Sequence, residues 1–124
     1  MELPDLKGKR VAIIAMGSSA GAYITARCNS IEYDEVWTIN ATGSVFPCDR
    51  MFMMDPPSRF IDDDVAGNQT MTMRNLITRE QPFPIYSCIK DDRCPSVVDF
   101  QPQQVMQGTG QFYFNNTPAY AMGF

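Results

Sequence analysis

The chain has 124 residues, ten Lys and Arg against fourteen Asp and Glu, a formal charge of −4, no histidine and 44% apolar side chains. That length fits one domain over residues 1–124, with apolar content suited to a globular core. An acidic chain lacks the basic face that extended nucleic acid needs, though a small nucleotide is still admissible, and no apolar run approaches the ~18 residues of a membrane span.

The absence of histidine removes the commonest general base and every Ser–His or Cys–His nucleophile. The opening MELPDLKGKR has no apolar stretch of the secretory kind. Cys28, Cys48, Cys88 and Cys94 therefore read as reduced thiols of a cytoplasmic protein, and no C-x-x-C pair suggests zinc.

Residues 10–24, RVAIIAMGSSAGAYI, are the most informative stretch. The apolar run from Val11 to Met16 is too short for a helix, and its Val and Ile favour a strand, read over Lys9 to Met16. Gly17-Ser18-Ser19 then reads as a tight turn into a helix over 19–30, with a serine as cap. Free N–H groups at such a helix start suit a phosphate, although the same turn also serves purely structural ends.

Further along, EVWTI (Glu35 to Ile39) is a second strand, followed by a loop from Asn40 to Pro47. DRMFMM (Asp49 to Met54) is a third, stopped at Asp55 by Pro56-Pro57. Residues 58–68, with Asp62-Asp63-Asp64, read as a solvated loop or short helix. Gln69 to Arg79 has helical spacing at Met73, Leu76 and Ile77. PIYSC (Pro84 to Cys88) is a fourth strand, residues 89–110 read as irregular, and Phe112-Tyr113-Phe114 as extended. Asn115-Asn116-Thr117-Pro118 opens a last helix with a polar cap and an early proline. The methionine clusters 51, 53, 54 and 71, 73 and the single Trp37 read as core.

Alternating β and α segments predict a Rossmann-like α/β domain, a mostly parallel sheet with helices on both faces. The polar residues after the strands, Gly17, Ser18, Ser19, Asn40, Asp55, Asn116 and Thr117, should then meet at the carboxyl edge, where such sheets bind ligands. Asp55 is the candidate catalytic carboxylate and Mg²⁺ ligand, or a solvated acid at a strand end. Arg50, Arg59 and Arg74 are equal candidates for neutralising a phosphate. The final helix has barely begun at Phe124, so the domain is expected to be truncated at its C-terminus. A sheet edge left uncovered by a missing strand would favour self-association.

RVAIIAMGSSAGAYI, EVWTINATGSVFPCDRMFMMD and FYFNNTPAYAMGF together resemble a family of uncharacterised phage and bacterial proteins. It lies in the Rossmann-like superfamily of archaeal-type 6-hydroxymethylpterin diphosphokinase, motility-associated flagellin glycosyltransferases and bacterial sialyltransferases. Gly17 to Ser19 stand at the family's first loop, with serine for its usual proline. Trp37 and Asn40 stand at the second block, Asp49 and Asp55 at the third, and Asn116 and Thr117 at the helix start. The resemblance implies a nucleotide or nucleotide-sugar site serving glycosyl or diphosphoryl transfer, with Asn40 on a base or ribose. Diphosphoryl transfer rests on positioning and charge, so it needs no histidine. The alternative is a non-catalytic phage module that binds a nucleotide or a protein.

Overall fold

The computed structural model describes residues 1–64, 66–110 and 117–124. Its centre is an all-parallel sheet of five strands: β1 (Val11–Ile14), β2 (Glu35–Ile39), β3 (Arg50–Met54), β4 (Ile85–Ser87) and β5 (Val97–Asp99). The strands lie in sequence order, each paired to the next. The helices are α1 (Gly21–Cys28), α2 (Ser58–Ile61), α3 (Thr70–Ile77), α4 (Pro102–Thr109) and α5 (Thr117–Gly123).

Period-two alternation divides the strand side chains between two faces. On one face Met51, Met53, Ile85 and Val97 pack with Phe60 of α2 and with Met73, Leu76 and Ile77 of α3. On the other, Trp37, Ile39, Phe52 and Tyr86 pack with Phe100, Val105 of α4 and Ala121 of α5. This is the expected Rossmann-like α/β architecture, with helices on both faces. Phe52 is fully buried and touches the rings of Trp37 at 5.4 Å, Tyr86 at 4.9 Å and Phe124 at 5.4 Å between centroids. Each such pair contributes about 0.5–1.5 kcal/mol beyond area burial.

Three local readings are corrected. Residues 89–110 are not irregular, since they hold β5 and α4. Pro102 occupies the first turn of α4, and Gly110 takes the left-handed cap position at φ 72°. The residues read as breakers are thus its start and stop signals. No serine side chain caps α1; Ser18–Ala20 form a single 3-10 turn instead, closed by Ala20 N–H to the Gly17 carbonyl. Met71 is not core but 59% exposed, unlike the buried Met51, Met53 and Met73. The extended reading of Phe112 to Phe114 lies outside the described residues.

The β4–β5 connection, residues 88–96, is short for a parallel crossover, which ordinarily takes a dozen or more residues. Arg93 pins it, donating to both carboxylate oxygens of Asp62 at 2.8 and 3.0 Å and to Asp91. Hydrogen bonds from Arg93 hold the Asp91 carboxyl at about 2 and push Asp62 below its ordinary value.

Candidate functional site: the carboxyl edge of the sheet

Parallel pairing carries every strand's carboxyl end to one edge. Gly17 to Ser19 follow β1 there, Asn40 follows β2 and Asp55 follows β3. Thr117 is brought to the same edge by its hydroxyl, which donates to the Met53 carbonyl at 3.4 Å. Asn116 lies outside the described residues.

Gly17 has φ −68° and ψ 164°, a conformation open to any residue, and a Cβ there would meet nothing nearer than the Ser19 hydroxyl at 4.0 Å. Neither backbone nor packing requires glycine at this position. Gly17 and Ser19 line a groove of about 400 Å³ between β1 and α1, walled by Tyr23 and Tyr33. Ser18 and Ser19 are both exposed.

At Asn40 the chain turns sharply, with φ 51°. Asparagine tolerates this left-handed conformation better than most side chains. Its Oδ1 is enclosed and accepts no hydrogen bond from the described residues. The turn after it is held by Thr42, whose buried hydroxyl accepts from Ile39 N–H at 3.0 Å. That hydroxyl also lies within donating distance of the Ile14 carbonyl, 2.9 Å, and the Ile39 carbonyl, 2.7 Å. Thr42 thus ties the ends of β1 and β2 together, a role that nothing in its sequence surroundings signals.

Asp55 is set by a second left-handed residue, Met54, at φ 64° beside a break in the β3–β4 register. For a long side chain this conformation is strained, and such strain concentrates at functional turns. The Asp55 carbonyl accepts from the buried Ser87 hydroxyl at 2.7 Å, which fixes its backbone. Its carboxylate takes a hydrogen bond from Arg59 Nη1 at 3.0 Å, one helical turn on.

That pairing bears on Mg²⁺. Among the described residues no group of three or more His, Cys, Asp or Glu is placed to hold a metal, and the Asp55 carboxylate already faces a guanidinium. A single carboxylate can hold Mg²⁺ together with a ligand's phosphates, and here the Arg59 guanidinium competes for it.

Cys88 closes β4 on the same edge. Burial pushes its thiol up, the charges of Asp55 and Asp99 add to that, and Ser87 opposes it.

The three candidate arginines separate cleanly. Arg50 sits at the opposite, amino edge, donating to Glu35 through Nε and Nη2 and to the Tyr86 hydroxyl through Nη1. Burial raises the Glu35 carboxyl, but hydrogen bonds from Arg50 and Trp37 and the Arg50 charge outweigh it, and the group titrates below its ordinary value. Arg74 donates Nε to the Phe60 carbonyl at 2.7 Å, joining α3 to α2. Arg59 alone of the three stands beside a strand's carboxyl end. Trp37 is buried core, as its apolar flanks indicate, with its Nε1 donating to Glu35.

All four cysteines are free thiols, and among the described residues no helix is long and apolar enough to cross a membrane. No family model, curated protein or solved structure matches the chain.

Proposed function

We propose that the chain binds a nucleotide or nucleotide sugar along the carboxyl edge of its sheet, in the service of glycosyl or diphosphoryl transfer. The observation that carries this reading is the gathering of Gly17 to Ser19, Asn40, Asp55 and Thr117 at one edge of an all-parallel sheet. The two left-handed strand ends, Asn40 and Met54, support it, because both lie at that edge. Gly17 supports it too. The fold leaves that position free to be any residue, whereas a phosphate approaching the backbone needs it small.

A second reading, binding without catalysis, draws support from the Asp55–Arg59 pair, which engages the candidate catalytic carboxylate. A turnover assay with nucleotide sugars separates the two readings.

The test of binding is a thermal-shift series with nucleoside diphosphates and nucleotide sugars. A ligand at a hundred times its dissociation constant stabilises the folded state by about 2.7 kcal/mol. Gly17→Val is expected to keep the parent's melting temperature and lose the ligand shift. A variant that still shifts like the parent, or a parent that no nucleotide stabilises, refutes the reading.

A further inference from the structure

We propose that Arg59 is the cation that receives the ligand's phosphate, and that Asp55 holds its place until the ligand arrives. The inference rests on the nucleotide reading and assigns Asp55 a role opposite to that of a metal ligand.

The geometry begins with what Arg59 leaves unused. Among the described residues its bond to Asp55 employs Nη1 alone, while the Nε–H is enclosed and meets no acceptor. The Nε–Nη2 edge of a guanidinium is the fork that matches two oxygens of a phosphate. Here that fork is uncommitted at Nε.

The holding contact is also easily exchanged. The two side chains are 43% and 36% exposed and four residues apart on one short turn. Ion pairs of this kind contribute little to stability. A phosphate offers more negative charge than the carboxylate and two oxygens where Asp55 presents one. Turning the guanidinium away from Asp55 brings its Nε–Nη2 edge outward and satisfies the donor that is bare in the resting protein.

The surroundings keep this exchange local. Ser87 clamps the Asp55 carbonyl, so the backbone stays fixed while the side chains part. The Phe60 ring, 5.9 Å from the guanidinium carbon, provides a surface on which the cation can pivot. Asp55 in this scheme shields Arg59 and competes with the ligand.

The opposing signs of two variants make the test. Inorganic pyrophosphate is titrated by calorimetry, with EDTA present, into the parent, Asp55→Asn and Arg59→Gln, and each is also titrated with UDP and ADP. Far-UV circular dichroism and Trp37 fluorescence check that each variant is folded. Arg59→Gln is expected to weaken pyrophosphate binding about tenfold or more, as hydrogen bonds to a charged group are lost. Asp55→Asn is expected to tighten it about two- to fivefold, the scale of an exposed ion pair released together with its like charge.

Weaker pyrophosphate binding in Asp55→Asn, or unchanged binding in Arg59→Gln, overturns the inference. If UDP or ADP binds the parent and Arg59→Gln equally well, the nucleotide reading stands and this inference alone falls. If none of the three probes binds the parent, both fall.

Discussion

Gly43→Ala tests how tightly the turn behind the site is built. A Cβ at Gly43 would lie 2.9 Å from Met51 Sδ, 3.2 Å from Thr38 Oγ1 and 3.4 Å from Leu76 Cδ2. Non-bonded contacts of this kind settle near 3.5–4.0 Å, so the sulfur must yield by roughly 0.6–1 Å. It has little room to do so, because Met51 is fully buried at the centre of its face. The Thr38 hydroxyl is held as well, by its bond to the Cys48 sulfur at 3.3 Å. Overpacking of this sort costs about 1–3 kcal/mol, and the narrower unfolded ensemble of alanine returns about 0.4–1 kcal/mol. From the middle of each range, the net expectation is a loss of about 1.3 kcal/mol. Urea unfolding at 25 °C measures it, with the single, buried Trp37 as the fluorescent reporter. Met51→Ala adds a control, since removing the sulfur relieves the collision. The double variant should then lose less than the sum of the two single losses. A Gly43→Ala protein as stable as the parent, or strictly additive losses, would refute the packing argument.

Glu35→Gln should lower stability at neutral pH and flatten its acid dependence. A carboxyl titrating below its ordinary 4.5 in the folded state stabilises above that value and loses the contribution as pH falls through the folded value. Parent and variant urea midpoints should therefore converge between about pH 6 and about pH 3, and a constant gap would contradict the assigned cause. Thr42→Val should cost about 1–3 kcal/mol, leaving the Ile39 N–H without its buried acceptor. It should also speed amide exchange at Ile39, and unchanged exchange there would show that the hydroxyl does not hold the turn.

The legible parts of the fold were those where one period dominated. Val11 to Ile14, Trp37 to Ile39 and Met51 to Met53 are apolar runs short enough to exclude helices, so a parallel, buried sheet followed from them. Met73, Leu76 and Ile77 betrayed α3 by spacing alone. Strand β5 and helix α4 stayed hidden because proline and glycine signal breaks and boundaries with the same letters. Pro102 and Gly110 could be told apart only once the helix between them was seen. The strand order was equally unreadable, since apolar strands of similar length pair with any neighbour. At the site, Asn40 and Asp55 stood out as polar residues ending apolar runs. Thr42, Met54 and the choice of Arg59 over Arg50 and Arg74 did not, because each depends on which edge or face a side chain reaches.

The sequential strand order also bears on assembly. Each strand pairs with its neighbour in sequence, so the loops to be closed on folding stay short. The sheet's Trp37–Phe52–Tyr86 side is different, since beside Met1 and Leu6 it is covered by residues from Phe100 onward. Phe124 reaches the Trp37, Phe52 and Tyr86 rings at 5.6, 5.4 and 4.8 Å. A growing chain therefore carries a half-finished aromatic surface until the turn at Phe124 docks, a period in which sticking to other chains competes with folding. Trp37, in contact with both Phe52 and Phe124, consequently reports the docking of that cover as well as the pairing of β2 with β3.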